Sequence, residues 1–160
     1  VLGIGNLLIG DEGVGCRTAE ELSRRYTFPP TVECVDGGTA GFELLTMIDN
    51  KEHLILIDAL KNDQPPGTVV LVEGENVPQA FLARTTPHQL GICDVLAAAR
   101  LSDTMPKHLT LYGIEPKQLD VGIGLSPEVE AGMEKTIGAV VTQLRHFGYE
   151  VKPNGIQSEY

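Results

Sequence analysis

The chain has 160 residues, 42% of them hydrophobic, which suffices for one domain with a real core and is too short for two of ordinary size. A formal charge of −10 and a sequence pI near 4.7 surround it with a negative field, which argues against nucleic acid or an anionic membrane surface as partner. There is no 18-residue apolar run and no signal-peptide pattern, so membrane insertion is not expected. Cys16, Cys34 and Cys93 are odd in number and widely spaced, which suits a reducing, cytoplasmic setting and a packing role. The chain opens on Val1 without an initiator methionine, and the first strand is expected to be longer in the full gene product.

A short apolar strand leads into the glycine-rich loop GIGNLLIGDEGVG, residues 3–15. Val14, Thr18, Leu22 and Tyr26 then recur at i+4, predicting an amphipathic helix that ends before Phe28-Pro29-Pro30. TVECV reads as a strand, Phe42, Leu45 and Ile48 mark a short helix, and HLILIDA is a strand whose apolar run does not alternate, as burial on both faces requires. A turn at NDQPPG, the strand VVLVE, a helix from about His88 to Leu101 and the strand HLTLYGI follow. The last helix has Ser126 as its cap, Pro127 at its first position, Glu128 and Glu130 at its positive end, and Gly148 as its stop. This alternation predicts a three-layer α/β fold, a mostly parallel twisted sheet with helices on both faces, over residues 1–150. Residues 151–160 are expected to form a polar, loosely ordered tail.

In such a sheet, ligands gather at the carboxyl ends of the strands, near the point where strand order reverses. The glycine loop invites a dinucleotide reading, but the third glycine of G-x-G-x-x-G is replaced by Leu8, and Asp36 lies 31 residues after Gly5 rather than about 20. No G-K-[ST] follows, and Asp11 and Glu12 place negative charge where phosphate would dock. Asp11 by itself is explained by the positive end of the following helix. Glu12, Asp58 at the end of LILID, and His88 in TTPHQLG project toward one crevice, an open three-ligand set for a divalent ion. His53 and His108 precede strands at the opposite end of the sheet, and His146 lies near the end of the last helix.

The segments GIGNLLIGDEGVG, VDGGTAGFELL, LILIDAL, TPHQLG and LTLYGIEP, in this order and spacing, closely resemble the hydrogenase maturation proteases, endopeptidases that trim the large subunit of nickel–iron hydrogenases. The resemblance runs from Leu2 to about Phe147. It implies an α/β fold and a metal site that maps onto Glu12, Asp58 and His88, the three residues the loops select. It also implies a substrate, the precursor of a nickel–iron hydrogenase large subunit after nickel insertion. The enzyme would recognise that nickel and cut a short C-terminal extension after the final metal-binding Cys motif, just past a His or Arg. The family's DGGT loop maps onto Asp36, Gly37, Gly38 and Thr39, beside the crevice, where the glycines would let backbone approach a bound peptide.

If the metal polarised the scissile carbonyl, its three ligands would be catalytic. If nickel arrives with the substrate, they recognise it and a general base is needed, for which Asp36 is the candidate. Asn6 shapes the loop or hydrogen-bonds substrate backbone. No zincin, serine or cysteine protease motif is present. The alternatives are a non-cutting metal-sensing chaperone of the precursor and a nucleotide-binding domain.

Overall fold

The unbroken apolar run of HLILIDA sends successive side chains to opposite faces of the sheet and so divides the core into two layers. Leu54 and Leu56 join one buried cluster and Ile55 and Ile57 the other, because successive strand side chains point to opposite faces. The computed structural model describes residues 1–39, 41–83 and 87–155, with the side chains of residues 87–90 excepted. In chain order its elements are β1 Leu2–Ile4, α1 Val14–Arg25, β2 Tyr26–Thr27, β3 Val35–Gly38, α2 Leu45–Ile48, β4 His53–Ala59, β5 Val69–Glu73, α3 Asn76–Leu82, α4 Pro87–Leu101, β6 His108–Ile114, α5 Pro127–His146 and β7 Lys152–Pro153.

The main sheet has the order β3-β1-β4-β6-β5. All its pairings are parallel except β5 with β6. Val14 and Leu22 of α1 and Val129, Met133, Ile137, Val140 and Leu144 of α5 cover one face. Ile48 of α2, Val77 and Phe81 of α3, and Ile92, Val95, Leu96 and Ala99 of α4 cover the other. The three-layer expectation holds. No helix among the described residues is long and apolar enough to cross a membrane.

Three local differences from the sequence reading have physical causes. Pairing of TVECV begins only at Val35, where Leu2 of β1 supplies a partner, so β3 runs on into the glycines. Lys152–Pro153, read as part of the polar tail, pairs antiparallel with Tyr26–Thr27, and Asn154 donates to the Arg24 and Arg25 carbonyls at the end of α1. Residues 156–160 lie outside the described residues. Ser126 occupies the N-cap position of α5 but makes no side-chain cap hydrogen bond, because its hydroxyl donates to Asp11 instead.

Gly15 fixes how closely α1 lies on the sheet. A Cβ there would sit 2.2 Å from the carbonyl oxygens of both Ile4 and Ile57, so only glycine permits this approach. The close helix–strand contact that a dinucleotide fingerprint would assign to position 8 is thus made seven residues later. Gly15→Ala is expected to destabilise the fold by about 3 kcal/mol through overpacking against backbone that cannot easily withdraw. An unchanged urea midpoint would refute that.

Candidate active site

The β1–α1 loop folds back on itself before α1 begins. The Gly5 amide donates to the Gly38 carbonyl at 3.0 Å, the Asn6 amide to the Glu12 carbonyl, and the Ile9 amide to the Asn6 carbonyl. The Glu12 amide donates to the Ile9 carbonyl, closing the single 3-10 turn Gly10–Gly13. Asn6 Oδ1 accepts from the Leu8 amide at 2.9 Å, so of the two roles open to Asn6 its carbonyl performs the loop-shaping one. These amides point at protein oxygens, not into a phosphate-sized cradle. The nucleotide alternative therefore loses the backbone donors it needs as well as the correct charge.

Asp11 is fully buried, and its carboxylate accepts from the amides of Lys117, Gln118 and Ser126 and from the Ser126 hydroxyl, at 2.7–2.9 Å. Burial pushes its pKa up, but the hydrogen bonds from Gln118, Ser126 and Lys117 outweigh burial and hold it below its ordinary value. Proximity to a helix end does not account for it. Asp11 ties the loop after β6 to the loop after β1.

Glu12 follows Asp11 on the same turn and is half-buried. Asp58 is fully buried at the carboxyl end of β4, where α1 crosses the sheet through Gly15. Asp36 is exposed in β3, opposite Gly3, and its Oδ1 accepts from the Gly38 amide at 2.9 Å. The β1–β3 register slips between Gly3 and Ile4, leaving Gly37 as the extra residue in the bulge, where a Cβ would meet Leu2 at 2.8 Å. Gly38 and Thr39 continue that loop, with Thr39 exposed.

Cys16 lies one helical turn beyond Glu12. Its thiol is buried, donates to the Gly5 carbonyl at 3.5 Å, and is held well above the ordinary thiol pKa, first by burial and then by the negative charges of Asp36 and Asp58. The thiol thus ties the start of α1 to the chain just beyond β1. A protonated, buried thiol is not a nucleophile, so the sequence reading that disfavoured cysteine chemistry agrees with its surroundings.

His88 stands in the first turn of α4, and its side chain lies outside the described residues. Among the described residues no three metal-ligating groups gather into a site by themselves. Glu12, half-buried, and Asp58, fully buried, carry hard oxygen donors of the kind divalent ions take. The remaining histidines are elsewhere. His53 stacks on Phe147 at 3.9 Å and on His108 at 4.9 Å at the amino ends of β4 and β6, with its Nδ1 2.9 Å from the Tyr149 hydroxyl.

One residue of this region, Asp11, has a role that its neighbours in sequence conceal. Asp11 was discounted because a helix end explained it, and its partners are more than a hundred residues away in the chain. Cys16, expected to be a packing residue, is one: it is fully buried in the core.

Comparison with known proteins gives consistent results. The sequence profile of the HycI hydrogenase maturation proteases matches residues 16–143. The hydrogenase 2 maturation protease of Escherichia coli K12 is 46% identical over 154 residues, which cover 96% of this chain and 94% of that protein. The hydrogenase expression/formation protein HupD of Rhodobacter capsulatus is 40% identical over 94% of this chain and 73% of its own. Among solved structures, the hydrogenase maturating endopeptidase HybD of E. coli superposes with a TM-score of 0.92 at 45% identity, covering 96% and 95% of the two chains. The nickel–iron hydrogenase maturation protease HybD of Thermococcus kodakarensis does so at 0.73 and 28% identity, covering 89% and 95%.

Proposed function

The chain belongs to the hydrogenase maturation protease family, and from that premise we propose that it removes the C-terminal extension from the nickel-loaded precursor of a nickel–iron hydrogenase large subunit. Nickel enters as part of the substrate. Glu12, Asp58 and His88 recognise it, and Gly37, Gly38 and Thr39 lie along the peptide to be cut. The observation that supports this reading is that neighbouring parallel strands of the sheet, β3, β1 and β4, each carry an acidic residue in or just beyond them, Asp36 in β3, Glu12 on the turn after β1 and Asp58 at the carboxyl end of β4. A net charge of −10 is no obstacle where the target is a metal cation.

Hydrolysis then needs a water and a base. Asp36 is exposed, and its hydrogen bond from the Gly38 amide sets the direction of its carboxylate. It takes a proton from water as the oxygen adds to the scissile carbonyl. The proton passes to the amide nitrogen as the C–N bond breaks, releasing the extension. The recognised metal fixes which peptide bond reaches Asp36, so an unloaded precursor presents no bond in register.

Mass spectrometry of nickel-loaded and nickel-free precursor after incubation tests this. Loss of one discrete C-terminal peptide from the loaded form alone is expected. Asp36→Asn is expected to bind the loaded precursor without releasing the peptide. Cleavage of both precursor forms would remove the metal checkpoint, and binding without any cleavage would make the protein a sensor.

A further inference from the structure

We propose that the exposed apolar ridge formed by Leu8, Val121 and Ile123 docks an apolar patch on the folded body of the precursor, beside the extension that is cut. This rests on the processing reading above. Leu8 is 64% exposed, Val121 90% and Ile123 84%, the last two among the most exposed large apolar side chains of the described residues. Single exposed apolar residues need no explanation. These three, however, come from segments over a hundred residues apart and are assembled on one backbone pairing. The Gly122 amide donates to the Leu8 carbonyl and the Gly10 amide to the Gly122 carbonyl, both at 2.9 Å, so Val121 and Ile123 flank the residue that pairs beside Leu8.

The ridge is also rigid, which an incidental loop would not need to be. Gly10 has φ 47°, and a Cβ on it would lie 2.7 Å from the Gln118 carbonyl oxygen, so glycine is what lets residues 118–122 lie flat on the loop. The Asp11 amide donates to that same carbonyl, its carboxylate holds the two amides before it, and Lys117 Nζ donates to Glu128 of α5 at 2.6 Å. A preorganised apolar surface loses little entropy on binding.

Continuity with the site identifies the occupant. Leu8 lies four residues before Glu12 on the same folded-back loop, so whatever covers the ridge lies next to the group that recognises the metal. A second copy of this chain seated there would crowd the loop that carries Glu12 and obstruct the entrance for a metal-bearing substrate. The substrate's own body is the partner that can cover the ridge and fill the site together.

The test measures initial cleavage rates against concentration of nickel-loaded precursor, for the full chain and for Val121→Asp/Ile123→Asp. The expected result is a KM raised about tenfold or more with kcat within about twofold, the signature of lost binding remote from the reacting bond. Val121→Ser/Ile123→Ser, which adds no charge, is expected to raise KM in the same direction. An unchanged KM in either variant overturns the proposal. So does a wild-type dimer, seen by sedimentation, that the variants dissolve without a change in KM. If the wild-type chain cuts no precursor at all, the processing reading itself fails, which the variants' kinetics cannot mimic.

Discussion

Glu12→Gln, Asp58→Asn and His88→Ala are each expected to lower processing of the nickel-loaded precursor by at least about a hundredfold, since even groups that merely orient metal ligands are worth about 10–100-fold. The amides keep the size of the carboxylates and remove the negative charge, so they isolate what the metal feels. Glu12 is half-buried on a turn whose hydrogen bonds come from its backbone, and Glu12→Gln therefore leaves the turn intact. Asp58 is fully buried at the end of a seven-residue strand whose backbone is paired along its whole length with β6, and Asp58→Asn keeps the side chain's size there. Cleavage assays paired with thermal unfolding decide the matter. Processing within tenfold of wild type would remove a residue from the recognition set. Loss of processing accompanied by unfolding at the assay temperature would show that the residue supports the fold instead.

The strands β4, β5 and β6 and the helices α1 and α5 are legible because their patterns are local. Apolar runs bounded by turn residues mark the strands, and repeated i+4 apolar positions mark the helices. Helix α3 has no counterpart in the sequence reading, and Pro78 lies inside it. The proline occupies the third helical position, where the missing N–H has no intrahelical acceptor to lose. The pairing of β2 with β7 depends on two residues at each of two places 125 or more positions apart in the chain, for which no local pattern exists. The site divides in the same way. Glu12 and Asp58 are visible because strand ends in a parallel sheet are where ligands collect, whereas the thiol contact of Cys16 with the Gly5 carbonyl and the glycine contact at Gly15 are properties of packing. Asp11 was misjudged for a sharper reason. Its neighbours in sequence supply a sufficient explanation, and its actual partners are brought to it only by the fold.

Asp11→Ala is expected to cost about 4 kcal/mol of stability, because hydrogen bonds to a charged acceptor contribute roughly 1.5–3 kcal/mol each and their loss is not fully additive. The carboxylate closes four of them inside the protein, and removing it leaves the Lys117, Gln118 and Ser126 amides facing a void. The sign of the pH dependence follows from the depressed pKa. Asp11 is held below its ordinary value of 3.8, so its contribution is complete above that pH and is lost as pH falls through the lower folded-state value. Asp11→Asn keeps the shape and cannot be titrated. Urea midpoints of the wild-type and Asp11→Asn chains should therefore differ by a constant amount above pH 3.8 and converge below it. A gap that persists undiminished into strong acid would mean that the charge of Asp11 is not what holds the two loops together. Since the same clamp carries the ridge of Leu8, Val121 and Ile123 and the turn of Glu12, a chain weakened at Asp11 should also process its precursor poorly at temperatures where its sheet is still folded.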